Sequence, residues 1–113
     1  MDQERRGLRF AFTASAEIAL GKSPSVFIPA RVTELSLRGC FLETSASFEI
    51  QSPVLVKINH SEEYFEAEAS VLYVRPSGLG LVFGEVKPES RAVLQKWVLS
   101  TMDSQGVAPI SEP

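Results

Sequence analysis

"FAFTASAEIAL", residues 10–20, decides the fold: Phe10, Phe12, Ala14, Ala16, Ile18 and Leu20 fall on one side of an extended chain, Thr13, Ser15 and Glu17 on the other. A hydrophobic period of two belongs to a β-strand with one buried face, because successive Cβ atoms point to opposite sides of the pleat. The period returns downstream. Val26, Ile28, Ala30 and Val32 alternate; "CFLET" follows Gly39; "PVLVKI" sets Val54, Val56 and Ile58 in step. Phe65, Ala67, Ala69, Val71 and Tyr73 then alternate against Glu66, Glu68 and Ser70, and "LGLVF" from Leu79 makes a last short strand. "GKSPS" (21–25), "NHSEE" (59–63) and "RPSG" (75–78) carry the turn-forming residues between these runs. Pro29 has no N–H to give a ladder and predicts an edge or a bulge in the second strand.

Only "PESRAVLQKWVLSTM", residues 88–102, changes period, with Val93, Leu94, Trp97, Val98 and Met102 at helical spacing and Pro88 suited to the first helical position. Six short strands followed by one amphipathic helix predict a mainly-β domain, an antiparallel six-stranded β-barrel with the C-terminal helix over its open end or side. The expected organisation is a flexible arginine-rich arm over residues 1–9, barrel and helix over 10–102, and a flexible tail over 103–113, which has two prolines and no apolar period.

At 113 residues the chain has room for one core. Its 44% hydrophobic and 22% charged residues are those of an ordinary soluble globular protein. A formal net charge of -3 disfavours general nucleic-acid binding, which needs a broad basic surface, so any positive site must be local. Cys40 has no partner for an internal disulfide, and neither a signal-peptide core nor a bilayer-length apolar run occurs, so a cytoplasmic protein without membrane insertion is expected.

Little points to catalysis. His60, the single histidine, sits in the polar turn "NHSEE" and reads as a solvated turn residue, not a general base. One histidine and one distant cysteine lack the clustered spacing of a metal site, and Cys40 reads as a small buried thiol. "GLGLVF" lacks the third glycine and the strand-to-helix context of a phosphate loop, so Gly78 and Gly80 read as a turn and a close strand crossing. No catalytic residue, metal or cofactor is expected.

Two short stretches remain. "ERRGLRF" (4–10) places Arg5 and Arg9 four apart with Arg6 between them, and "ELSLRG" (34–39) has the spacing ExSxxG. Together they resemble the paired signature of PilZ domains, RxxxR followed by (D/N)xSxxG, the bacterial receptors for the second messenger cyclic di-GMP. The resemblance runs from Glu4 to Met102 and includes the late "GLGLVF" strand and the helix. Either half of the signature alone is common; both in order within a barrel-like sequence are specific.

The resemblance implies a PilZ-like split barrel and a non-enzymatic receptor whose ligand is cyclic di-GMP. Arg5, Arg6, Arg9, Glu34, Ser36 and Gly39 are then the ligand-binding residues, and a downstream protein effector receives a signal sent by ordering of the arm. The chemistry agrees. The ligand has two phosphates and two guanines, and a guanidinium meets phosphate or the guanine O6/N7 edge bidentately and stacks on a base, which lysine does not. Ser36 offers a short donor and acceptor, Gly39 admits ligand or backbone without a Cβ, and the Glu34 carboxylate matches the guanine N1 and N2 protons. Where the family has Asp or Asn this chain has Glu34, one methylene longer. That motivates an alternative, a PilZ-fold interaction adaptor with little or no nucleotide affinity. Glu4 precedes Arg5 at a position that in similar proteins sets whether one ligand or a stacked pair binds, and an acid there favours one. A monomer or weak dimer is expected.

Simpler roles exist for the same residues. The arginines could form a solvated arm, Ser36 a turn hydroxyl bonded to its own backbone, and Gly39 a turn glycine with positive φ. Glu34 could pair with Arg31 or Arg38, a surface contact worth roughly 0–1 kcal/mol. Trp97 and the phenylalanines read as core.

Overall fold

The computed structural model describes residues 10–21 and 26–104, with side chains through Thr101. Six strands precede one helix: β1 (Phe10–Leu20), β2 (Ile28–Leu35), β3 (Gly39–Glu43), β4 (Pro53–His60), β5 (Glu63–Arg75), β6 (Gly78–Phe83) and α1 (Pro88–Ser104). All pairings are antiparallel, and the order β1-β2-β3-β6-β5-β4 returns to β1 through β4 as a closed barrel. The alternating residues fill its interior, with Ile18, Val32, Leu35, Val56, Ile58 and Phe65 fully buried. Closure leaves no free edge, yet Pro29 fits. It lies where β2 pairs with β1 through Glu17 but has run past the end of β3, whose ladder starts at Arg31, so one side of the chain lacks a neighbouring strand.

Two details depart from simple alternation. Leu20 is 56% exposed and Ala19 is buried instead. Leu20 lies at the rim, next to Gly21, whose φ of 91° turns the chain. The β4–β5 hairpin is closed by Ser61 and Glu62, at φ 50° and 66°, the two left-handed positions that a tight two-residue turn demands.

Glycine decides how the barrel closes between β3 and β6, one of the two pairings, with β1–β4, that join strands far apart in sequence. A Cβ on Gly39 would lie 2.0 Å from the Leu81 carbonyl oxygen, and one on Gly78 would lie 1.9 Å from that of Leu42. Each strand therefore gives up a side chain at one end so that the other's backbone can come close. Gly39 is not a left-handed turn residue: among the described glycines only Gly21 has positive φ.

The helix starts at Pro88, as its fixed φ and missing N–H favour. Leu94, Trp97 and Val98 are buried against β1 and β5. The Trp97 ring meets Phe12 at 5.3 Å and Phe65 at 6.3 Å between centroids, as a plug on the barrel. Its indole N–H donates to Glu63 Oε1 at 3.1 Å, and Lys96 Nζ donates to Oε2 of the same carboxylate at 2.7 Å. The start of the helix is fastened by Ser90 Oγ, which accepts the Glu66 amide N–H at 3.1 Å. This plug revises the expectation for His60. His60 ends β4 with its ring half-buried, packed 4.6 Å from Phe12 and 5.7 Å from Trp97, with its Nδ1 shut away from solvent and without a hydrogen-bond partner.

The hydrogen bonds from Lys96 and then Trp97 hold the Glu63 carboxyl below its usual range. A depressed folded-state value stabilises the protein above the unfolded value, about 4.3 for glutamate, and the contribution disappears as pH falls through the folded value. Glu63→Gln should therefore lower the unfolding midpoint at neutral pH, read by Trp97 fluorescence, with the gap from wild type narrowing in acid. A gap independent of pH would show that the charge of Glu63 does not fasten the helix. Gly78→Ala should cost about 1–3 kcal/mol by overpacking in a chemical denaturation series, whereas an unchanged midpoint would show that β3 and β6 separate freely.

Candidate ligand-binding site

The turn between β2 and β3 is built around Ser36, only 4% exposed. Its Oγ accepts the amide N–H groups of Arg38 and Gly39, each at 3.1 Å, and donates to the Gly39 carbonyl at 3.3 Å, which also accepts the Ser36 amide at 2.9 Å. One donor and two lone pairs are all that a hydroxyl has. Ser36 thus spends its hydrogen bonds inside the turn and fixes its shape. The turn is tied to the far side of the closure by the Phe83 amide, which donates to the Arg38 carbonyl at 2.8 Å. The side chains of Leu37 and Arg38 project from it into solvent.

Glu34 precedes this turn on the outside of the barrel, and a bulge puts it there. Val32 pairs with Leu42 and Glu34 with Phe41, so Thr33 is the extra residue of β2. A second bulge lies in β5, where Val71 pairs with Leu81 and Tyr73 with Gly80, leaving Leu72 over. Its effect is to reverse the side on which Tyr73 lies. The alternation of residues 65–73 predicts Tyr73 inside; the structure lays its ring outside, over Gly80, where a Cβ would come within 2.3 Å of the ring.

Consecutive cross-strand pairs now draw a line around the outer wall: Ala11 opposite Glu34, Glu34 opposite Phe41, Phe41 opposite Gly80, Gly80 opposite Tyr73. Phe41 and Tyr73 face each other across the glycine with centroids 6.2 Å apart and planes 21° from parallel. Phe41 is buried, yet it belongs to this outer surface, since its neighbours Cys40 and Leu42 fill the core. Arg75 sits at the end of the line with its guanidinium carbon 4.7 Å from the Tyr73 ring centroid. Alongside, Arg31 Nη2 donates to Glu43 Oε1 at 3.0 Å in an exposed ion pair, so Arg31 takes Glu43 rather than Glu34 as the partner seen here. Arg38 and Arg75 are exposed on this part of the barrel, while the charge of Arg31 is matched by Glu43.

Of the expected site residues, Glu34, Ser36 and Gly39 are together at this turn, whereas Arg5, Arg6 and Arg9 lie outside the described residues. Gly39 is filled from behind by the β6 backbone, so the close approach it permits is that of a strand. Sequence reasoning missed Phe41, Tyr73 and Arg75. A signal was present, since a glycine inside a strand leaves a gap that a cross-strand aromatic covers.

Other concavities have the wrong character for an anion. A groove of about 680 Å³ between β5 and the start of α1 is walled by Glu66, Glu68, Glu85 and Glu89. A smaller one, about 250 Å³, lies beside Phe12, His60 and Trp97. Among the described residues no group of three or more His, Cys, Asp or Glu could hold a metal ion, and no helix is long and apolar enough to cross a membrane.

Comparison with known proteins places this geometry in context. The family model for the PilZ domain matches residues 3–100. Among solved structures, the PilZ domain of CeSA from a cellulose-synthesizing bacterium is similar at TM-score 0.66 and 14% identity, over 83% of this chain and 97% of that one. The PilZ domain of YcgR from Escherichia coli, determined with c-di-GMP, is similar at TM-score 0.68 and 12% identity, over 92% and 95%. The Bacillus subtilis inhibitor of motility, MotI/DgrA, gives 0.66 and 17%, over 84% of this chain but 49% of its own. None of the curated proteins matches.

Ser36→Ala should leave the Arg38 and Gly39 amides without their acceptor and lower stability by about 1–3 kcal/mol in chemical denaturation. An unchanged stability would mean that water replaces the hydroxyl and that Ser36 is free for another task.

Proposed function

The chain belongs to the PilZ domain family, and from that footing we propose that it is a cytoplasmic, non-enzymatic receptor for cyclic di-GMP which passes the signal to a partner protein. One observation carries the proposal. β1 starts at Phe10, directly after Arg9, and Phe10 pairs with Leu35 and Ala11 with Glu34. Phe10, the residue that follows RxxxR in the sequence, is thus paired with the strand that bears ExSxxG, more than twenty positions further along the chain, and this supports a shared role for the two half-signatures.

Each residue then has a role. Arg5 and Arg9, with Arg6, clamp the phosphates and guanine edges, where charge-assisted bidentate pairs are strongest. Glu34 takes the guanine N1 and N2 protons. Ser36 acts by holding the turn and Gly39 by bringing β6 close behind it. Binding orders the arginine-bearing segment over the outer wall and so changes the surface offered to the effector. A single bound dinucleotide agrees with the acid at Glu4. The solved YcgR domain was determined with c-di-GMP, which supports the assignment of ligand class.

The alternative, an interaction adaptor with weak nucleotide affinity, draws on Glu34 in place of Asp or Asn and on a Ser36 hydroxyl already committed to its own turn. Titration calorimetry of wild type and Arg9→Ala with cyclic di-GMP separates the two. The receptor binds the dinucleotide in preference to GTP, and Arg9→Ala loses binding with its melting temperature nearly unchanged. Wild type that releases no heat, with the same partners captured with and without nucleotide, would leave the adaptor.

A further inference from the structure

The outer wall offers a second handle that neither half-signature contains. Arg75 is exposed and its guanidinium already lies on the Tyr73 ring, 4.7 Å from the centroid. Tyr73 in turn backs onto Phe41 across the side-chain gap at Gly80. The result is a layered stack, Phe41, Tyr73, Arg75, built sideways along the barrel. It is fixed at its root because Phe41 is buried and Gly80 has no Cβ to push the phenol ring away.

This stack lies on the same line of cross-strand pairs as Glu34. Glu34 and Tyr73 are separated by three strand spacings, about 14 Å at roughly 4.8 Å each. Both ends face outward. Cyclic di-GMP has two guanines, and Glu34 has carboxylate oxygens for one of them only. A guanidinium held over a phenol ring is planar, carries several N–H donors and is less hydrated than an ammonium, so a purine base stacks on it readily. The barrel's own chemistry therefore provides an acceptor for one base and a flat cation for the other.

We infer that Arg75, supported by Tyr73, is a ligand-contacting residue of this site, stacking on the guanine base that Glu34 does not hold. The inference rests on the receptor assignment above. Stacking, not charge alone, is the distinguishing feature. Arg75→Ala should weaken cyclic di-GMP binding about tenfold or more, as loss of one base-stacking contact does. Arg75→Lys should be no better, because it restores the charge without the plane.

The experiment is calorimetric titration of wild type, Arg9→Ala, Arg75→Ala and Arg75→Lys with cyclic di-GMP, each with a melting curve. Arg75 pairs with Gly78 at the end of β5 and its side chain is in solvent, so its variants should melt with wild type. If wild type binds and Arg75→Ala binds equally well, the stack is not part of the site, and the receptor assignment stands without it. If Arg75→Lys recovers wild-type affinity, Arg75 acts as a charge and stacking is refuted. If wild type itself does not bind, both the receptor assignment and the role of Arg75 fall together.

Discussion

Backbone proximity between β3 and β6 is the constraint on which the rest of the molecule depends. Four of the six pairings join strands consecutive in sequence, but β3 must find β6, as β1 must find β4, across intervening strands. Two glycines make the contact possible, Gly39 from one strand and Gly78 from the other, each leaving its Cβ volume to an opposing carbonyl. A side chain at either position costs the closure, and without closure the barrel is an open sheet with two exposed edges.

The candidate site follows from that contact. Because Gly39 is drawn against β6, the turn before it is short and tight, and Ser36 is consumed in capping it. Gly80, on the same strand as Gly78, leaves the outer wall thin enough for Tyr73 to lie flat and meet Phe41. Two bulges, at Thr33 and at Leu72, then decide which side chains appear outside: Glu34 on β2 and Tyr73 on β5. Bulges reorient side chains without breaking a sheet, which suits a wall that must be a core on one side and a binding surface on the other. The net charge is -3, yet Arg75 lies beside Tyr73 on this wall, while Glu66, Glu68, Glu85 and Glu89 line the groove between β5 and α1.

Much of this was legible before any coordinates. Strict alternation in β1, with Phe12, Ala14, Ala16 and Ile18 buried, and the change of period at Pro88 fix the strands and the helix. Pro29 signals a place with a strand on one side only, where β2 pairs with β1 but has run past β3. Alternation failed at Tyr73 because Leu72, Tyr73 and Val74 are all compatible with a strand interior, so an inserted residue leaves no mark on the pattern. It failed at Leu20 because a strand's end has no second layer to bury it. "NHSEE" points to a solvated turn, yet the turn itself is Ser61–Glu62 and His60 ends β4, half-covered by Trp97 from a helix whose docking position periodicity does not specify. Gly39 was legible as a residue needed for close approach. That β6 makes the approach is a matter of topology.

The central claim is that one outer face, from Glu34 through Phe41 and Gly80 to Tyr73, receives cyclic di-GMP. Backbone amide chemical shifts of the isotope-labelled full chain, recorded by NMR during titration with cyclic di-GMP, test it most directly. The account predicts shifts concentrated at Glu34 to Gly39, Phe41, Tyr73, Arg75 and Gly80, with Leu55, Val86 and Ser90 in the acidic groove unmoved. A spectrum that does not change, or changes confined to that groove, would contradict it.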